Sequence, residues 1–399
     1  IPVIIGGHHI SSLPQHLVSS YFDIAVIGEG EQTFLELLQT FYKIGRFDES
    51  ELEQVDGIVF KTSDGKSKAT KKRKLIRDLD QIPFPARDHL RMKGFYVSLR
   101  RSKFGEPGIY THMMTSRGCP YKCAFCSPTL FWGPPRFHSP EYVVSEMRHL
   151  KDTYNVEGIL IFDDLFLANF DRVKRISSLV VNQGLHKELR FGIFGRTNLI
   201  NDEMLRVLVD MNVTSIDFGL ESGSPKILGY LKKNSVTVQD NVRALELCKE
   251  YGLHTIGTLI VGSPDETEKD LEMTLDLVKN PNLDEAYVLP LAPLPGTAVW
   301  EYAKEKNIVS EAPDFSFELV TTHAMVKEET FLCNKISIET LKTWQSRMKE
   351  AAKNKNTSLD FSHFKLRHLP YLLSPHFIKK VIKNLYEVLY FLKNASIKG

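Results

Sequence analysis

Apolar and polar positions along this chain fall into blocks whose period switches between strand-like and helix-like. Residues 1–44 open with the apolar run "PVIIGG", continue with the mixed stretch "LPQHLVSSY", return to an apolar run in "DIAVIGEG" and end in "EQTFLELLQTFYK". Continuous apolar runs ending in glycine read as strands buried on both faces, and apolar residues recurring every three or four positions read as helix. The order is therefore βαβα, as in a parallel doubly wound sheet. Residues 45–108 lose this rhythm: "GIVFKTSDGKSK" reads as a hairpin, the basic run Lys71–Lys74 as its solvated flank, and "DQIPFPARDHL" as a proline-rich connector.

From 109 to 308 the alternation returns. Strands are expected in "YTHMMTS", "GILIFDD", "RFGIFGR", "SIDFGLE", "HTIGTLIVG" and "AYVLPLA", separated by amphipathic helices such as "SPEYVVSEMRHLKDTY" and "NDEMLRVLVDMN". Six strands with helical crossovers predict an α/β barrel or part of one. Chemistry in such folds gathers at the carboxyl ends of the strands, where Cys119, Asp163, Asp164, Arg196, Glu221, Gly262 and Pro293 all fall. Residues 309–399 are loop-rich and then helical, closing on "HFIKKVIKNLYEVLYFLKNASIKG", whose lysines interleave with apolar residues at helical spacing. A docking helix is the preferred reading there, with a membrane-surface helix as the alternative.

Composition narrows the function classes. A 399-residue chain with 42% hydrophobic residues can bury a large core. With 51 Lys and Arg against 49 Asp and Glu it lacks the basic footprint of a nucleic-acid binder. No apolar run reaches the roughly 18 residues of a spanning helix. Five cysteines, three of them clustered, do not make the paired framework of a secreted protein, so a reducing, cytoplasmic setting is expected. The first residues carry neither a charged n-region nor a cleavage site, and they read as a strand already under way, so more of the sheet is expected upstream.

The cluster itself is "TSRGCPYKCAFCS", with Cys119, Cys123 and Cys126 inside eight positions. A structural zinc site closes with four ligands, and here only His112 or His138 is available as the fourth. A disulfide would strand one thiol. A [4Fe–4S] cube held by three thiolates leaves one iron open to a small molecule, which accounts for the missing ligand.

Cys-x-x-x-Cys-x-Phe-Cys directly after a first strand resembles the signature of the radical SAM superfamily, and the resemblance extends over residues 110–305. It implies a partial (β/α)6 radical SAM barrel in which S-adenosylmethionine (SAM) chelates the open iron. One electron then cleaves its sulfonium to methionine and a 5′-deoxyadenosyl radical that abstracts hydrogen from a substrate. It further implies that Phe125 of the cysteine motif, Asp163 and Asp164 of "IFDD", Arg196 of "GRTNLI", Glu221 of "DFGLESGS", and Gly262 and Pro264 of "GTLIVGSPDET" border the cofactor. Arg196 is a candidate for the cofactor carboxylate or for an ion pair, Glu221 for the ribose or amino group or for a pair with Arg196. A plain turn before a helix capped at Ser263 or Asp265 is the structural alternative for Gly262. Cys248 reads as core.

The order "GGHH", "GEGE", "IPFPARD" and then the cysteines is similar to the radical SAM subgroup with an N-terminal cobalamin (B12)-binding domain. That likeness implies a remnant of a Rossmann-like domain over residues 1–44, with Gly6, Gly7, Gly28, Glu29 and Gly30 near the cobalamin, followed by a connector (45–108), the barrel (109–308) and a mainly helical tail (309–399). Since the upstream strands that complete such a site lie outside this chain, weak cobalamin binding is expected of it. The subgroup implies methylation, ring formation or rearrangement of a small-molecule or lipid-like substrate, with a reductant such as flavodoxin or ferredoxin. A radical SAM enzyme without cobalamin and a non-catalytic zinc or cluster module are the alternatives; no residue singles out a catalytic group or a substrate.

Overall fold

The computed structural model describes residues 2–17, 21–89, 97–98, 108–309 and 331–353. The N-terminal part is a four-stranded mixed sheet in which β1 (Ile4–Ile5) lies parallel to β2 (Ile24–Val26), as the βαβα reading requires. The expected hairpin forms from β3 (Ile58–Lys61) and β4 (Ser67–Ala69), and it adds antiparallel to β2 rather than standing apart. Helices α1 (His8–Ser12), α2 (Glu31–Ile44) and α3 (Glu49–Leu52) accompany this sheet. The stretch "LPQHL" makes only a 3-10 turn over Pro14–Leu17. The proline at its start and the short apolar content leave too little to propagate a helix.

The main sheet is a half-barrel. Behind the edge strand β5 (Val97–Ser98), six parallel strands follow one another in chain order: β6 (Gly108–Met113), then, past the short antiparallel pair β7 (Ser116–Arg117) and β8 (Arg136–Phe137), β9 (Gly158–Ile161), β10 (Arg190–Gly195), β11 (Val213–Glu221), β12 (His254–Val261) and β13 (Glu285–Pro290). All six coincide with the expected apolar runs.

The cysteines precede α4 (Pro128–Trp132); α5 (Pro140–Tyr154), α6 (Phe170–Asn182), α7 (Asp202–Asp210), α9 (Val238–Glu250), α10 (Glu268–Val278) and α12 (Ile338–Lys353) cover the outer face of the sheet, whereas α8 (Pro225–Lys232) and α11 (Ala298–Glu305) pack against the cysteine loop. Their starts were legible: Ser139 caps α5 and Asn201 caps α7 through side-chain oxygens. The turn after β12 is a different case. Helix α10 is capped by Thr267 in a reciprocal box with Asp270, not by Ser263 or Asp265.

One core joins the outward faces of the strands (Ile159, Ile161, Ile193, Phe218, Leu259, Val288) to the helices, including Leu341 and Met348 of α12. Cys248 is part of it, fully buried, which pushes its thiol up to about 12. A second cluster puts Ala124 of the cysteine loop under Ile227, Leu231 and Val299. The loop thus packs as core rather than as surface. The terminal stretch "HFIKKVIKNLYEVLYFLKNASIKG" lies outside the described residues. Among those described, no helix is long and apolar enough to cross a membrane.

Candidate functional site

The three cysteines lie on one loop at the carboxyl end of β6, and four separate parts of the chain hold it. From the barrel, Asp163 accepts both the N–H and the hydroxyl of Thr115 at 2.5 Å, and those of Ser116 at 3.1 and 2.7 Å. Asp164 accepts the Gly118 N–H at 3.0 Å. From the helices, Leu231 O accepts the Ala124 N–H at 2.9 Å, and Ala124 O accepts that of Val299 at 3.1 Å. From β10, Arg196 stacks on Tyr121 at 3.7 Å and points Nη1 at Cys123 Sγ, 3.5 Å away. The fourth grip, from the N-terminal sheet, is through Arg117 to Glu29.

These contacts divide the two adjacent acids that the sequence treats alike. Asp163 is 2% exposed and its oxygens are taken up by four donors, so it is a clamp on the loop and not a group aimed at a ligand. Asp164 faces the cysteines: burial pushes its carboxyl up, the neighbouring Asp163 adds to this, and the Gly118 N–H opposes it. Glu221 does not pair with Arg196. It meets Lys232 Nζ at 2.7 Å, both side chains being buried, while Arg196 bonds Asn198 and Ser235.

Glu221 sits at φ 58° where β11 slips register against β12, and its carboxylate folds back over Gly219, where any Cβ would lie 2.2 Å from Oε1. This explains glycine two residues before the acid. Lys232 was hidden in sequence because it stands in "GYLKKNS", which reads as a solvated lysine pair. Its only signal is its place on the buried stripe of α8 with Ile227, Leu228 and Leu231. The ammonium lies 5.9 Å from the ring of Phe125, which packs half-buried beside the second core cluster.

The donor set fits an iron–sulfur cube. Burial raises the thiols of Cys119 and Cys126, the latter to about 12, with Cys123 and Asp164 adding to both. Three mutually repelling thiolates need a cationic group among them, and such a group deprotonates its ligands outright. Arg196 and Lys232 oppose the rise at Cys119 and Cys126 respectively. Among the described residues no three His, Cys, Asp or Glu side chains converge on the position of a single ion. The two histidines nearest in sequence to the motif are engaged elsewhere: the ring of His138 with Asp80 at 3.2 Å and stacked on Tyr142, and that of His112 edge-on to Phe162. A cube gives each thiolate its own iron and needs no such convergence.

The superfamily profile of radical SAM proteins matches residues 113–278, from the end of β6 through α10. An uncharacterized methyltransferase of Pyrococcus horikoshii is 34% identical over 311 residues, 77% of this chain and 64% of its own. The chain belongs to the radical SAM superfamily. The anaerobic magnesium-protoporphyrin IX monomethyl ester cyclase of Rubrivivax gelatinosus is 28% identical over 79% of this chain and 56% of its own. The chain thus spans less than two thirds of the length of these curated relatives. Among solved structures, the radical SAM methyltransferase TsrM of Kitasatospora setae, with cobalamin and a [4Fe-4S] cluster bound, superposes with a TM-score of 0.64 at 18% identity, covering 92% of this chain and 75% of that one. This likeness extends the shared fold well beyond residues 113–278.

The remaining expected positions divide in the same way. Gly262, at φ 90°, leaves room for Leu341 of α12, whose Cδ2 would be 3.0 Å from an added Cβ, and Pro264 is buried beside it. Gly6, Gly7, Gly28, Glu29 and Gly30 line a cavity of about 520 Å³ together with Phe131 and Trp132 of α4. No Cβ at Gly7 or Gly28 would meet an atom within 4 Å, whereas Glu29 is already engaged.

Glu266, which the sequence did not single out, closes the turn after β12. One oxygen accepts the N–H groups of Gly262 at 2.5 Å and Ser263 at 3.1 Å, and the other has no hydrogen-bond partner among the described residues. Burial pushes its carboxyl to about 7 against those two donors. A raised folded value means stability present below the ordinary range near 4.5 and lost as pH climbs toward 7, on the order of 3 kcal/mol. Thermal midpoints should therefore fall between pH 5 and 7 in the native chain and stay flatter in Glu266→Gln. Parallel pH curves for the two proteins would contradict this.

Proposed function

We propose that this chain catalyses radical SAM chemistry of the cobalamin-associated, methyltransferase-like kind, on a small-molecule substrate and with a one-electron donor protein. The observation that carries the reading is three half-buried thiols on one loop, gripped over the carboxyl ends of a half-barrel, with two buried cations beside them. Cys119, Cys123 and Cys126 would hold a [4Fe–4S] cluster, which when bound supplies the electron that cleaves SAM at its open iron.

The remaining work belongs to the chain. Arg196 beside Cys123 and Lys232 beside Phe125 offer positive charge to a cofactor carboxylate. Glu221, held by Lys232, offers an acceptor to an ammonium or ribose hydroxyl. Asp164 fixes the start of the loop through Gly118. The half-barrel wall carries Met114, Phe162 and Tyr287 exposed, with Phe162 edge-on to Phe194 at 5.1 Å, an apolar surface suited to excluding water from a radical.

The cavity lined by Gly7, Gly28, Phe131 and Trp132 supports cobalamin as the second cofactor. Radical SAM chemistry without cobalamin is the second reading, favoured by Glu29 being committed to protein partners. The test is electron paramagnetic resonance of the anaerobically reconstituted, dithionite-reduced protein with and without SAM. A [4Fe–4S]⁺ signal that shifts on adding SAM is expected. Zinc in place of iron, with no signal, would return the three cysteines to a structural role.

A further inference from the structure

Both stems of the cysteine loop end on one carboxylate of the N-terminal sheet. Glu29 follows β2, with its side chain 4% exposed. It accepts Nη1 of Arg117 at 2.5 Å, Nη1 of Arg136 at 2.9 and 3.0 Å on its two oxygens, and the N–H of Ile76 at 2.8 Å. Arg117 and Arg136 face each other across the β7–β8 ladder that pinches the loop shut. Arg117 also reaches Glu31 and lies over the ring of Trp132, and Arg136 donates to the backbone oxygens of Ile76 and Trp132. The guanidiniums are about as buried as the acid they share, at 13% and 10% exposure. Without that acid two like charges would face each other in a poorly solvated space.

The same residue borders two cavities, of about 520 and 380 Å³, and Phe131 of α4 lies in the wall of both. The N-terminal cavity is therefore built partly from the segment that carries the cysteines. We infer that Glu29 is a positioning residue for the cluster site: acting through Arg117 and Arg136, it fixes the cysteine loop against the N-terminal sheet, so that the occupant of the cavity and the group on the three thiols share one frame. This rests on the reading that the cysteines hold a cluster.

Glu29→Gln preserves shape and one acceptor oxygen while removing the charge. It leaves Arg136 without its carboxylate and Arg117 with Glu31, a net gain of positive charge next to the loop, and positive charge favours the more negative, reduced cluster. The 399-residue chain and its Glu29→Gln and Glu31→Gln variants would be reconstituted anaerobically with iron and sulfide. Iron content, resonance line shape and midpoint potential would then be compared. Glu29→Gln should still take up iron, with an altered line shape and a more positive potential, and Glu31→Gln, which removes a more exposed acid paired with Arg117, should shift less. A loss of fold alone would lower iron content and leave the potential of the loaded fraction where it was. A spectrum and potential matching the native chain would overturn the proposal.

Should Glu29→Gln fail to fold, Arg136→Lys decides: it keeps the charge and loses the fork, so an altered line shape supports the role and an unaltered one refutes it. A native chain that takes up no iron would remove the cluster reading and this role together, an outcome distinct from a native cluster that is indifferent to Glu29.

Discussion

Cys123→Ala is expected to reduce SAM cleavage to the level of a protein-free blank, and Cys119→Ala and Cys126→Ala should do the same. In the proposed cube each thiolate would hold a separate iron, so the loss of one would leave two protein anchors and a second open corner. The effect on the fold should be small by comparison. Cys123 is half-buried and its Sγ meets the Arg196 guanidinium at 3.5 Å, so truncation should cost about 1 kcal/mol. Cys248→Ala and Cys333→Ala serve as controls: Cys248 is core, and Cys333 donates to Glu266 O at 3.2 Å. Both should retain cleavage, measured as methionine and 5′-deoxyadenosine released per chain under dithionite. Cleavage that survives Cys123→Ala would end the assignment of the motif.

The second large effect is expected without touching a ligand. In Asp163→Ala the N–H and hydroxyl groups of both Thr115 and Ser116 lose their acceptor in a site closed to water. Buried donors left unsatisfied cost about 1–3 kcal/mol each, so destabilisation on the order of 3 kcal/mol or more should be concentrated where β6 passes into the cysteine loop. Arg172, which donates to Thr115 O and His138 O, holds the other side of the same turn and cannot replace the lost acceptor. Reconstituted Asp163→Ala should therefore bind well under half the iron of the native chain at a temperature where circular dichroism still reports the barrel. Asp163→Asn, with one acceptor oxygen, should fall between. Full iron loading of the alanine variant would show that the clamp is dispensable.

The barrel was legible because its strands are short, largely apolar runs and its helices begin at capping residues, as at Ser139 and Asn201. Periodicity carries such information directly. Other features depended on partners far away in sequence. "IFDD" offers two equal acids, and only the Thr115–Ser116 pair in the turn after β6 makes one of them a clamp. "GEGE" suggests a ligand-facing acid, and only Arg117 and Arg136, both from the cysteine loop, turn Glu29 inward. Lys232 looks like half of a solvated pair until the buried stripe of α8 is traced. Gly262 reads as a place where a ligand approaches the backbone, and only the fold adds that Leu341, 79 residues on, lies where its Cβ would project. Local pattern specified the elements; long-range pairing decided which polar groups remain available for chemistry.

The four grips on the cysteine loop also set an order of events during synthesis. Glu29 is already made when Cys119 appears, Asp163 and Arg196 follow, and Val299, which donates to Ala124, comes 180 residues after Cys119 (299 − 119). At about 5–20 residues per second on the ribosome, the thiols wait roughly 10 to 35 seconds before their last support exists. Iron delivered earlier would meet a loop that cannot yet hold three thiolates in place. Insertion of the proposed cluster would thus be a late step in the life of the chain, and the nascent protein passes through an interval in which its three clustered thiols depend on the cell, not the fold, for protection.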